Sequence, residues 1–150
     1  MDFYGFYTGK IFDAYKYLGA HVEEKGVTFR TFAPSASRIT LIGEFNDWQE
    51  WEMNKVSDGN FWECYVPQAK AGQMYKYKIY DRNSNPVDHC DPYGFGMELR
   101  PGSASIIRDM SKYKFKDSQW LQSRSDCRKK PLSIYEIHFG SFRKPSDKAD

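Results

Sequence analysis

Asn46, Trp48, Trp51 and Lys76 are the side chains whose types and spacing point most directly to recognition chemistry. Asn46-Asp-Trp-Gln49 follows the apolar run 38–43 directly, so Trp48 falls in a loop, where a ring can stand clear of the fold. Lys76 lies in Met74-Tyr-Lys-Tyr-Lys-Ile-Tyr80, on the opposite face from Tyr75 and Tyr77. A flat ring beside an amide and an ammonium offers what a sugar needs: an apolar platform for the C–H face and polar groups for the hydroxyls. A second reading stands beside it, in which Trp48 packs into its own loop or against another domain. Trp62 belongs to a core by its alternation, and Trp120 docks a linker.

Other reactive groups read as structural. Glu23-Glu24 and the pair Glu44 and Asp47 are surface charges at strand ends. His89-Cys90, between Asp88 and Asp91, has adjacent rather than zinc-like spacing, and Cys64 and Cys127 make no Cys-x-x-Cys pair, so neither a metal nor any other cofactor is expected. His21 and His138 sit among apolar residues as hydrogen-bonded packing histidines. No Ser-His-Asp arrangement or phosphate-cradling glycine loop is present.

The elements that must position the candidate residues are short strands. Runs 27–33, 38–43, 61–66 and 74–80 are rich in β-branched and aromatic residues, and turn residues separate them. Trp62, Cys64 and Val66 alternate with Glu63 and Tyr65, and Tyr75, Tyr77 and Ile79 alternate with Lys76, Lys78 and Tyr80. One face is apolar and the other carries charge, which predicts consecutive antiparallel strands in a sandwich.

Composition excludes several classes. Twenty-two basic against 20 acidic residues give a net charge of +2, too balanced for a nucleic-acid or anionic-membrane partner. Three scattered cysteines fit reduced thiols, and no signal or membrane-spanning run is seen, so a cytoplasmic location is expected. Aromatic residues make up 17% of the chain, which suits a sugar or protein surface as well as a β-sandwich core.

Around the sandwich, a short helix is predicted from Lys10 to Leu18, stopped by Gly19 and lying with its aromatic side on the sandwich or another domain. A Pro- and Gly-containing loop covers 87–103, and Ala104–Arg108 is a closing strand. A linker with a helical turn near Asp117–Leu121 and a solvated basic run, Arg124–Lys130, ends at Pro131. Leu132-Ser-Ile-Tyr-Glu-Ile-His-Phe139 reads as a strand buried on both faces, as in parallel barrels. Only Lys144–Asp150 remains to follow it, so the expectation is a chain cut from a longer protein.

Tyr17-Leu-Gly-Ala-His21, Phe29-Arg-Thr-Phe-Ala-Pro34, Gly43-Glu-Phe-Asn-Asp-Trp48, Tyr75-Lys-Tyr-Lys78, Asp91-Pro-Tyr93 and Ile134-Tyr-Glu-Ile-His-Phe-Gly-Ser141 occur in this order. The set resembles the family-48 carbohydrate-binding module and first barrel strand of bacterial 1,4-α-glucan branching enzymes of glycoside hydrolase family 13. The resemblance implies a parent glycosyltransferase that cuts α-1,4-glucan and rejoins it through α-1,6 bonds by retaining chemistry on a barrel. It also implies that the catalytic carboxylates lie beyond Asp150, leaving this chain inactive alone. In binding members of the module family, the tryptophan matching Trp48 and the lysine matching Lys76 contact glucan. A second tryptophan, found in the AMP-activated kinase subunit, is replaced here by the Asn83-Ser-Asn-Pro86 region.

The expected architecture is all-β: an immunoglobulin-like antiparallel β-sandwich with a short N-terminal helical segment and a C-terminal linker. Its parts are the helical segment 1–20, the glucan-binding sandwich 21–108, the linker 109–131 and a barrel strand within 132–150. Expected partners are α-1,4-glucan, the absent barrel and, through uncovered aromatics, other copies of the chain. The rival readings are the module of a debranching hydrolase of isoamylase or pullulanase type, and a non-catalytic interaction module.

Overall fold

Residues 1–127 and 130–142 are described by the structure, a computed structural model. The side chain of Cys127, the basic residues Arg128 and Lys129, and residues 143–150, including the tail from Lys144, lie outside the described residues. The strands among the described residues are β1 (Gly19–Glu23), β2 (Gly26–Phe32), β3 (Arg38–Gly43), β4 (Trp51–Glu52), β5 (Asn54–Val56), β6 (Phe61–Val66), β7 (Met74–Tyr80), β8 (Pro86–His89) and β9 (Ser105–Ile106). They form two sheets, β1-β2-β6-β5 and β4-β3-β7-β8, with β9 also paired to β7. Every pairing is antiparallel. This is the expected all-β, immunoglobulin-like sandwich.

Register decides what the sandwich buries. Cross-strand partners share a face, and Val27, Phe29 and Thr31 on β2 stand opposite Val66, Cys64 and Trp62 on β6. In the other sheet Ile39 and Leu41 stand opposite Ile79 and Tyr77. These residues meet between the sheets, where Phe29, Leu41, Tyr75 and Tyr77 are fully buried. The Phe29 ring lies 4.9 Å from Tyr75 and 5.3 Å from Phe45.

The N-terminal aromatics make a third layer. Helix α1 (Phe3–Tyr7) is capped by Asp2, whose carboxylate accepts from the Gly5 N–H at 2.9 Å. Its Phe3 and Phe6 rings pack 4.8 and 5.4 Å from Phe61 on the outer face of the first sheet. Phe61 is therefore fully buried although it points away from the inter-sheet core. On the same face Arg30, ion-paired with Glu63, lies 4.6 Å over the Tyr17 ring.

The helix expected at Lys10–Leu18 is not formed; that stretch holds one 3₁₀ turn, Ala14–Lys16. So short a segment cannot nucleate a helix alone, and α1 forms where a cap and an aromatic surface coincide. Gly19 opens β1 rather than ending a helix. Its φ is +102°, and a Cβ there would meet the Tyr93 carbonyl oxygen at 2.8 Å. The sandwich thus begins two residues before the expected boundary.

Residues 1–112 form one compact unit and a second begins at Tyr113. The second holds α2 (Ser118–Cys127) and α3 (Phe139–Phe142), a longer helix than the turn expected near Asp117–Leu121. Trp120 is 58% exposed. The expected strand over 132–139 is also absent: 132–138 has no regular structure and no pairing partner. Apolar β-propensity needs a neighbouring strand to take its backbone hydrogen bonds, and here Leu132, Ile134 and Tyr135 are exposed. Among the described residues, no helix is long and apolar enough to cross a membrane.

Candidate functional site

The loop between β3 and β4 is built by Asn46. Its side-chain oxygen accepts from the Gly43 N–H at 2.9 Å, and its amide nitrogen donates to the carbonyls of Leu41 at 3.2 Å and Gln49 at 2.7 Å. The Trp48 N–H closes the turn onto the Gly43 carbonyl at 2.9 Å. Asp47 and Trp48 both adopt left-handed backbone, with φ of 53° and 58°. Two such non-glycine residues in succession carry a cost of about 1–3 kcal/mol each, which persists only in an over-determined loop. The Asn46 bonds supply that determination.

The consequence is a presented ring. Trp48 is 41% exposed. Among the described residues its indole N–H makes no hydrogen bond, and its ring stacks on no other aromatic ring. Ile42 and Lys76 are cross-strand partners on the outer face of the second sheet, one residue from the Gly43 that anchors the Trp48 turn. Lys76 Nζ donates to Ser103 Oγ at 2.9 Å, which ties the 97–104 loop to this face.

The four expected site residues therefore separate into different roles. Trp48 is exposed in the loop that follows β3, and Lys76 stands on the outer face of the neighbouring β7. Asn46 is buried with its amide committed to the loop, so it shapes the site rather than facing a ligand. Trp51 pairs with Leu41, which places it toward the inner side of the sheet edge, not on the Lys76 face. Trp62 is buried as expected, its indole N–H donating to the Ala33 carbonyl at 3.2 Å.

Two polar groups emerge that sequence reasoning missed. Glu50 accepts from Lys78 Nζ at 2.9 Å, Tyr80 Oη at 2.7 Å and Thr40 Oγ1 at 3.1 Å, and lies 3.4 Å from Arg38. Hydrogen bonds from Lys78 and then Tyr80 hold its carboxyl down at about 2. Arg38 also pairs with Glu52 and stacks 4.6 Å over the Tyr80 ring. The outward period of 74–80 signalled the lysines and Tyr80, but not the loop carboxylate that collects them.

The second is Asp91, 3% exposed, which accepts from Tyr75 Oη at 2.6 Å, Tyr77 Oη at 3.1 Å and the Tyr93 N–H at 2.8 Å. Its own N–H donates to Ser105 Oγ at 2.8 Å. Burial pushes the Asp91 carboxyl up from the ordinary range, against the tyrosine hydrogen bonds. Burial likewise raises the Tyr75 and Tyr77 hydroxyls far above theirs. Sealed from solvent, this cluster pins the 91–96 loop to the core and has no room for a substrate.

The histidines differ in setting, and His138 is not among apolar neighbours as expected. His21 Nε2 lies 2.9 Å from the Leu18 carbonyl, and its ring packs edge-on against Phe95 at 5.6 Å, which covers that loop aromatic. His138 is exposed, with Nδ1 2.7 Å from Ser141 Oγ. His89 and Cys90 are exposed, and among the described residues no group of three or more His, Cys, Asp or Glu could hold a metal ion.

The two-sheet sandwich leaves Trp48 exposed in the β3–β4 loop and carries Lys76 on the outer face of β7. Residues 17–94 match carbohydrate-binding module 48 (isoamylase N-terminal domain), and the chain belongs to that family. The 1,4-α-glucan branching enzyme of Fusobacterium nucleatum is 38% identical over 98% of this chain and 24% of its own length. That of Dechloromonas aromatica is also 38% identical, over 96% of the chain and 24% of its length. The chain thus spans about a quarter of the curated relatives it matches. Klebsiella pneumoniae pullulanase complexed with maltotriose superposes with a TM-score of 0.53 at 24% identity, over 61% of this chain and 9% of that one, a likeness of fold.

Proposed function

We propose that the sandwich is a weak α-1,4-glucan-binding module and that the chain is the module portion of a 1,4-α-glucan branching enzyme acting in the cytoplasm. The observation that carries the binding reading is Trp48: exposed, without a ring or hydrogen-bonding partner among the described residues, and held in left-handed backbone by a buried amide. Its ring receives the C–H face of a glucosyl unit, and Lys76, released from Ser103, donates to a hydroxyl.

Magnitudes set the strength. A ring covering about 80 Å² of sugar contributes on the order of 2 kcal/mol at ~25 cal/mol per Å². Millimolar affinity already requires about 4 kcal/mol, so one platform with a few hydrogen bonds binds at around millimolar concentration. In a longer polypeptide such affinity holds a glucan near a second site by effective concentration rather than by tight grip.

The branching-enzyme reading rests on relatives bearing that name at 38% identity, whereas the pullulanase likeness is one of fold. Electrophoresis through gels containing glycogen tests the module. The chain is retarded relative to glycogen-free gels, and both Trp48→Ala and Lys76→Ala abolish the retardation. Equal mobility of wild type and both variants in the two gels overturns the reading.

A further inference from the structure

A cleft of about 290 Å³ opens at the other end of β3 from Trp48. Its floor includes Pro34, Ala36, Ile79 and Val87. Val87 stands opposite Ile79 in register, on the side of the sheet that elsewhere faces the core, yet it is 54% exposed. At edge strand β8 the interior of the sandwich is open to solvent.

The rim carries unused hydrogen-bonding groups. Neither Ser35 Oγ nor the His89 imidazole makes a hydrogen bond among the described residues. The Asn85 backbone N–H donates to Asp81 Oδ1 at 2.9 Å and its side-chain amide donates to Asp81 Oδ2 at 3.2 Å, which leaves its side-chain oxygen as an acceptor. A hydroxyl, an imidazole and an amide oxygen around an apolar floor are complementary to a ring with C–H faces and peripheral hydroxyls. An apolar side chain would fill the floor and leave this rim unused. The volume lies at the lower end of small-ligand pockets, roughly 300–1,000 Å³, so it takes one or two rings rather than a long chain.

The cleft also reaches the outer hydrogen-bonding network of the second sheet. Tyr80 lines it while donating its hydroxyl to Glu50 on the outer network. The five residue steps along β3 from Arg38 to Gly43 separate cleft and loop by about 17 Å at ~3.3 Å per residue.

We propose that this cleft is a second carbohydrate subsite, which binds a terminal glucosyl unit of an α-glucan while Trp48 receives an internal one. The proposal rests on the glucan-binding reading of the module and adds end recognition to it. Val87 and Ile79 receive the ring, and Ser35, Asn85 and His89 receive its hydroxyls.

Backbone amide shifts of the isotopically labelled 150-residue chain test it, with maltotriose and β-cyclodextrin as probes, because the cyclic sugar has no chain ends. Maltotriose is expected to move two separate groups of signals, one around Trp48 and Lys76 and one around Ser35, Val87 and His89. β-Cyclodextrin moves only the first. Val87→Glu raises the maltotriose midpoint of the second group about tenfold by placing a charge on the floor. Ser35→Ala raises it about threefold, the loss of one hydrogen bond, and leaves the first group unchanged. Cleft signals that stay still while the Trp48 group responds overturn the subsite and leave the module reading intact, as does an equal cleft response to both sugars. Silence in both groups with both sugars overturns the module reading and the subsite together.

Discussion

Replacing Asn46 with alanine removes one acceptor and two donors that close the Trp48 loop from inside. Stranding the Gly43 N–H and Leu41 carbonyl costs about 2–3 kcal/mol, and the left-handed residues 47–48 relax. Asn46→Ala should lower the urea midpoint and lose glycogen retardation, although Asn46 faces no sugar. Trp48→Ala should lose retardation while urea unfolding still shows a cooperative transition, although the buried part of the ring makes some loss of stability expected. Asp91→Ala strands the Tyr75 and Tyr77 hydroxyls in the core and should cost about 3 kcal/mol by urea unfolding. None of these roles is written in composition. Asn46 sits in a motif that reads equally as ligand or scaffold until its amide is seen bonded to three backbone groups. Asp91 meets tyrosines 14 and 16 residues away, a pairing fixed only by tertiary structure.

At the scale of elements, acid separates the two carboxylates. Glu50 has a folded-state value below its ordinary one, so between about 2 and the ordinary carboxylate range the unfolded chain binds more protons. Its contribution is complete above that range and is lost as pH falls toward 2. Asp91 runs the other way: with a raised value, its contribution is complete below the ordinary range and is lost as pH rises through the folded value. Urea midpoints measured between pH 5 and 2 should therefore fall in wild type and fall less steeply in Glu50→Gln. An unchanged slope in that variant contradicts the role given to Glu50. Strands β6 and β7 were legible because each buries one face and charges the other. β8 was not, since Pro86-Val-Asp-His89 alternates too weakly and all four residues are exposed. The run 132–139 forms no strand in this chain, where no neighbour is present to pair with it.

On the scale of the whole molecule, sequence and structure divide the chain differently. The order of motifs ran to Ser141, whereas the compact sandwich unit ends at Lys112 and the family match at residue 94. Exposed Leu132, Ile134, Tyr135 and Phe139 make concentration-dependent self-association an expected property, which sedimentation velocity would show as a rising weight-average mass. The chain alone should bind glucan without reshaping it, so amylose incubated with it should keep its iodine colour. The central claim is that Trp48 is a sugar platform, and its indole N–H resonance reports on that most directly. On titration with maltoheptaose to ~10 mM, the range set by a millimolar affinity, the Trp48 signal should shift progressively while that of buried Trp62 stays fixed. A Trp48 signal that does not move across this titration, in a chain whose other resonances show it folded, would contradict the account.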